Sequence, residues 1–181
     1  GDTVQISFAM FVPKSTNLNG ATLLDVECNT CWDTSSGLVN TSPGLRLAVN
    51  NNFFALDRSK ILQSEFLSSS FGVLRDQWFN VDLRVSLSSN EDGRVQLFIN
   101  GQSIIDNTGN TLPNTSAFSE NASQIGATFN LVAPVAYERV QLGVTLAGAN
   151  QVQVYYDDLS VVVRTGDGTD SDAIPAISDQ E

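Results

Sequence analysis

Histidine is absent from this 181-residue chain, lysine occurs only at Lys14 and Lys60, and cysteine only at Cys28 and Cys31. Each shortage excludes something. Without histidine there is no Ser–His or Cys–His nucleophile pair, and a zinc site would need two soft ligands beyond the cysteines. A C-x-x-C redox centre needs a helix N-terminus in a βαβ setting, and no segment has helical periodicity. Cys28 and Cys31 therefore read as a small local disulfide, or as two thiols at a strand-to-loop junction. Nine Lys and Arg against twenty Asp and Glu leave a formal charge of −11, with too few cations to displace counterions from phosphates. Nucleic acid and anionic lipid are poor partners on that ground, and so are uronate-rich glycans unless a metal bridges the charges. Apolar runs stop at about five residues, against the roughly 18 that span a bilayer, so no membrane insertion is expected. Gly1-Asp2-Thr3 leads directly into strand residues with no leader-like segment, as expected of a mature or excised product or of part of a longer polypeptide.

What the chain does have is alternation. Val4, Ile6, Phe8, Met10 and Val12 take one side and Gln5, Ser7, Ala9 and Phe11 the other, predicting a half-buried strand stopped by Pro13. Further strands are expected over 21–28, 45–49, 53–57 and 60–66, with Ser68-Ser69-Ser70 as a loop. Phe79, Val81, Leu83 and Val85 alternate up to a turn at 88–93, and Val95, Leu97 and Ile99 return. Asn100-Gly101 is a two-residue hairpin signal leading into 102–105. Segments 29–43 and 106–123 read as long loops, and strands over 140–146 and 151–163 complete the set. About ten short strands without crossover helices predict an all-β, antiparallel two-sheet β-sandwich over 1–164. An acidic, Gly-rich segment over 165–181 is expected to be a flexible tail or linker.

The run Asp76-Gln77-Trp78-Phe79-Asn80-Val81-Asp82-Leu83-Arg84-Val85, followed by Asp92-Gly93 and the return to Asn100-Gly101, resembles the signature hairpin of concanavalin A-like domains. Laminin G-like modules and jelly-roll polysaccharide lyases share it. The ending Val154–Val161 is similar to the last strand of those lyases and of jelly-roll carbohydrate-binding modules, and Val4–Pro13 to their early strand. The resemblance covers roughly half the chain and implies a jelly roll. It leaves function open, because this fold hosts lectins, hydrolases, lyases, adhesion modules and viral proteins. The family usually has a strand before the segment matching Val4, so a neighbouring segment is expected to complete the sheet.

Catalytic patterns are thin. Asp25-Val26-Glu27 is the nearest approach to a carboxylate pair; with no third acid in register it reads as a solvated strand face. The resemblance implies that a lyase of this fold would use His or Tyr as base and Arg, Asn or Gln against the uronate carboxylate. Gln124-Ile125-Gly126 lacks the histidine of the alginate-lyase motif, and Tyr137, Tyr155 and Tyr156 have no basic cluster beside them in sequence. The expectation is that the domain is not an enzyme.

Binding is better served. Alternation turns Arg46, Asn80, Asp82, Arg84, Gln96, Phe98 and Gln141 away from the core, together with Gln5, Ser7 and Phe11. On one sheet they would line its outer face with amides, guanidiniums, an acid and rings, a mixture suited to sugars. No cofactor is required, although the resemblance implies a structural Ca²⁺ held by Asp157 or Asp158 with Asp2. Asn40, Asn114 and Asn121 open sequons in expected loops. The leading expectation is a non-catalytic binding or adhesion module of a larger extracellular protein, recognising a glycan or a surface protein. The alternatives are a self-assembling subunit of a virion or surface filament, and a polysaccharide lyase or glycoside hydrolase-like enzyme. The expected location is extracellular, on a cell surface or on a virion.

Overall fold

The computed structural model describes residues 1–28, 30–31, 43–59, 61, 66–113, 131–132, 135–146, 152–166 and 170–174. Among them run eleven strands and no helix. These are β1 (Thr3–Phe11), β2 (Thr22–Glu27), β3 (Gly44–Asn50), β4 (Phe53–Asp57), β5 (Phe66–Gly72) and β6 (Trp78–Ser86). They continue with β7 (Arg94–Ile99), β8 (Gln102–Thr108), β9 (Arg139–Thr145), β10 (Tyr155–Arg164) and β11 (Asp170–Ile174). A six-stranded sheet in the order β11-β10-β1-β6-β7-β8 packs on a five-stranded sheet in the order β5-β4-β3-β2-β9. The paired strands are antiparallel, and the expected all-β sandwich is what forms.

Alternation decides the layers. Val4, Ile6, Phe8 and Met10 of β1 are buried while their neighbours are not, and β6 and β7 repeat the pattern through Phe79, Val81, Leu83, Val85, Val95, Leu97 and Ile99. The five-stranded sheet answers with Leu24, Val26, Leu45, Leu47, Phe54 and Leu56. Fully burying one such side chain stabilises the fold by about 1.5–3 kcal/mol. Phe54 and Phe79 meet edge to face across the sandwich at 6.0 Å. Polar side chains tie the segments together as well. Arg58, 2% exposed, leaves the end of β4 and donates to Asn110 O (3.1 Å) and Asn107 Oδ1 (3.2 Å) beyond and on β8.

Several boundaries move. Most of the strand expected over 60–66 falls outside the described residues, while Phe66–Gly72 forms β5, so Ser68–Ser70 lie within a strand rather than a loop; Ser68 stands opposite Ala55, and the side-chain hydroxyl of Ser69 donates to Phe54 O at 2.8 Å. Serine has weak strand preference, and cross-strand packing overrides it. β1 is no exposed edge: β10 and β6 flank it on both sides. β11, inside the segment expected as a flexible tail, pairs with β10. Cys28 and Cys31 are joined in a disulfide at the end of β2. The sequons and Gln124-Ile125-Gly126 lie outside the described residues.

Candidate functional site

Because side chains directly opposite on antiparallel strands share a face, the registers of the five-stranded sheet define a row across four strands. Asp25 of β2 stands opposite Arg46 of β3 and Gln141 of β9, and Arg46 stands opposite Asp57 of β4. Two residues along β2, Glu27 faces Gly44 and Arg139. Gly44 is required there, since a Cβ would lie 2.0 Å from Val26 O. These residues look outward because Leu24, Val26, Leu45 and Leu47 take the core side. A groove of about 450 Å³ runs over them, lined by Asp25, Glu27, Arg46, Arg139 and Gln141, with Thr22 and Thr145 at one end.

Glu27 is not a solvated face residue. It is 4% exposed and ion-paired with Arg139, whose Nε donates to Glu27 Oε2 at 2.9 Å. Arg46 pairs with buried Asp57 and donates to Ser59 Oγ at 3.2 Å; its own Nε–H is buried without an acceptor among the described residues. The Asp57 carboxylate also accepts from the Ser59 backbone N–H at 2.8 Å. The groove thus holds two guanidiniums, each oriented by a carboxylate, on either side of Asp25. Counting Asp57, the salt-bridge partner of Arg46, three acids (Asp25, Glu27 and Asp57) stand there against two bases.

The tyrosines considered as bases are placed unfavourably. Burial pushes the Tyr137 phenol far up, and the negative charge of Asp25 adds to this while Arg58 offsets part; its hydroxyl donates to Thr111 O. Burial also raises Tyr156. Both stay protonated at any ordinary pH. Tyr155 lies on the other sheet.

The seven candidate binding residues do not share one sheet. Arg46 and Gln141 belong to the groove just described, whereas Asn80, Asp82, Arg84, Gln96 and Phe98 stand on the six-stranded sheet. The sequence offers no register between distant strands, so the two sets could not be separated from alternation alone. On the second sheet Asp82 accepts from Gln5 Nε2 (3.1 Å), Ser7 Oγ (3.3 Å) and Arg84 (2.6 and 3.0 Å), and Arg84 lies 4.6 Å over the Phe98 ring. Gln96 turns to Asp106 at 3.0 Å. A groove of about 370 Å³ opens there between Ser7, Asn80, Asp82, Phe98 and Asp158.

The acids named for Ca²⁺ are not brought together. Asp157 stands opposite Ala9, whereas Asp2 precedes Thr3 at the other end of β1, roughly 23 Å away at about 3.3 Å per residue. A bulge in β10 puts Asp158 at φ 54° and turns it toward the second groove. Asp2 Oδ1 accepts from the Gly166 backbone N–H at 3.1 Å. Among the described residues no group of three or more His, Cys, Asp or Glu is placed to hold a metal ion, and no helix is long and apolar enough to cross a membrane. Sequence reasoning missed Arg139, whose one signal was its period-two spacing from Gln141, and the exposed rings Trp78 and Tyr155.

No protein-family model and no curated protein matches the chain. Solved structures do. An endo-β-1,4-glucuronan lyase from the fungus Trichoderma reesei superposes with a TM-score of 0.58 at 13% identity, over 89% of this chain and 68% of that one. An alginate lyase from Chlorella virus gives 0.51 at 11% identity, over 88% and 70%. A further alginate lyase, solved with an alginate trisaccharide, gives 0.50 at 16%, over 89% and 70%. Likeness at this identity establishes the fold alone, an antiparallel jelly-roll β-sandwich. It also corrects the leading expectation. Polysaccharide lyases stand among the structures that share this fold, beside others such as a cellulose-induced protein (TM-score 0.53, 14% identity), and they overturn the non-catalytic, non-enzyme module as the leading reading.

Proposed function

We propose that the domain is a polysaccharide lyase that binds a uronate-bearing polymer across the outer face of the five-stranded sheet and cleaves it by β-elimination. The observation that carries this is the row in which Asp25 stands between Arg46 and Gln141, with Arg139 one step along. Elimination needs a base near the proton α to a carboxylate and positive charge or donors on that carboxylate as it gains enolate character. Arg46, Arg139 and Gln141 take the second task, and the Nε–H of Arg46, without an acceptor among the described residues, is a donor for it. Asp25 takes the first. The C5 proton passes to Asp25, its electron pair becomes the C4–C5 double bond, and the C4–O glycosidic bond breaks. The leaving oxygen then takes a proton back through Asp25. With Asp57 counted, the groove holds three carboxylates against two guanidiniums, so the reading rests on direct contacts from Arg46, Arg139 and Gln141 and not on the long-range field. A polymeric substrate and the Cys28–Cys31 disulfide favour an extracellular setting.

Incubation with glucuronan, alginate and polygalacturonate, followed by the ultraviolet absorbance of the new conjugated double bond, tests the reading. Absorbance is expected to rise on at least one polymer and to fall by about 10²-fold or more in Asp25→Asn, the size of a general-base contribution. No double bond from any of the three, or an unaffected Asp25→Asn, refutes it.

A further inference from the structure

The proposed chemistry leaves the opposite sheet unused, and that sheet carries a row of rings. Phe11 of β1 stands opposite Trp78 of β6 on one side and Tyr155 of β10 on the other. Ring centroids are 5.7 and 5.9 Å apart; Phe11 and Trp78 are tilted at 52°, and Phe11 meets Tyr155 edge against face at 69°. Aromatic pairs in this geometry hold one another in place. Trp78 is nonetheless 52% exposed and Tyr155 44%. Rings that are fixed by neighbours yet open to solvent lose little conformational freedom when something stacks on them.

The next rows on the same face are polar. Ala9 stands between Asn80 and Asp157, and Ser7 between Asp82 and Ser160. This puts the second groove, with Ser7, Asn80, Asp82 and Phe98, directly beside the rings. Stacking surface next to planar and hydroxyl hydrogen bonders is the chemistry of sugar recognition.

We infer that this face is a second glycan-binding surface, built for a neutral polysaccharide and separate from the groove on the five-stranded sheet. Charge selects the occupant. The one guanidinium of the groove, Arg84, is held by Asp82 in two hydrogen bonds, and Asp157 and Asp158 stand nearby. The surface is therefore locally acidic and repels uronates as it repels nucleic acid. The apolar part of the face is small: the exposed parts of Trp78 and Tyr155 amount to roughly 200 Å² on the 150–250 Å² that one aromatic side chain presents. A standard interface needs about 800 Å² per partner. A sugar chain, one residue wide, needs no more than the strip offers. The inference does not depend on the lyase reading.

Affinity electrophoresis of the full chain in gels containing hydroxyethylcellulose, xylan or galactomannan, with polygalacturonate as the acidic comparison, tests it. Migration is expected to be retarded by at least one neutral polymer, and any retardation by polygalacturonate, which belongs to the other sheet, to be unchanged in Trp78→Ala and Tyr155→Ala. Trp78→Ala and Tyr155→Ala are each expected to weaken retardation about tenfold, while double-bond formation from short uronate oligosaccharides stays at the parent rate. Circular dichroism checks that both variants fold. Absence of retardation on all three neutral polymers overturns the inference, as does retardation by these polymers that both variants retain. Concentration-dependent self-association that Trp78→Ala abolishes would assign the face to a second copy of the chain and overturn it too.

Discussion

The Glu27–Arg139 pair should be asymmetric in what its two halves cost. The Glu27 side chain is 6% exposed and the Arg139 side chain 44%. In Arg139→Met the alkyl stem is kept but the guanidinium goes, leaving a carboxylate that water barely reaches. Exposed pairs contribute about 0–1 kcal/mol, and removing one partner of a fully buried pair costs about 3–5 kcal/mol. With one partner buried and the other half-exposed, a loss of about 2 kcal/mol is expected, between those limits. Glu27→Gln runs the other way: Arg139 regains water, the amide oxygen still accepts, and the loss is about 0.5 kcal/mol. For a chain of this size 1 kcal/mol moves Tm by about 2–4 °C, so the shifts are about 4–8 °C and about 1–2 °C. Scanning calorimetry at neutral pH and fixed salt reads both. Equal losses, or a larger loss in Glu27→Gln, would refute the argument that burial of the carboxylate sets the cost.

Gly101, at φ 79° with nothing within 4 Å of an added Cβ, isolates backbone strain from packing; Gly101→Ala should lower stability by about 1–2 kcal/mol in urea titration, and Gly101→Asn by clearly less. A hydrogen bond from Arg94, supplemented by one from Gln96, holds the Asp106 carboxyl below its ordinary value. A depressed folded value means the stabilisation is present above the unfolded pKa and lost as pH falls through the folded one. Acid titration below about pH 3.9 should therefore be shallower in Arg94→Gln than in the parent chain, and a steeper acid limb in the variant would contradict this.

The strands of the six-stranded sheet were legible because their apolar residues alternate without interruption. Val4 to Met10 and Phe79 to Val85 read as half-buried strands from sequence and are so buried. Asn100-Gly101 likewise specified its own turn, both residues sitting at positive φ. Where the period breaks, the reading failed. β5 contains three consecutive serines, and only pairing with β4 makes it a strand. The site was half legible for the same reason. Alternation tells which side of a strand Arg46 or Asp82 takes, but not which sheet the strand joins. Glu27 was taken for a solvated acid because its counterion Arg139 is 112 residues away in the chain. The ring row was missed because Phe11, Trp78 and Tyr155 come from three separate strands.

The placement of β1 between β10 and β6 has a kinetic consequence. Thr3 faces Arg164 in the finished sheet, so nearly the whole chain must be available before that seam can form. Closing so large a loop costs entropy before any contact rewards it, which places the domain among slow-folding, high-contact-order topologies. On an emerging chain the hairpins β3–β4 and β6–β7–β8 can form from local turns, and β1 can then dock on β6. Until β10 arrives, one side of β1 presents its unpaired amides and carbonyls, including those beside Phe11. The strand that ends as the most protected in the sheet is, for the length of synthesis, its exposed edge.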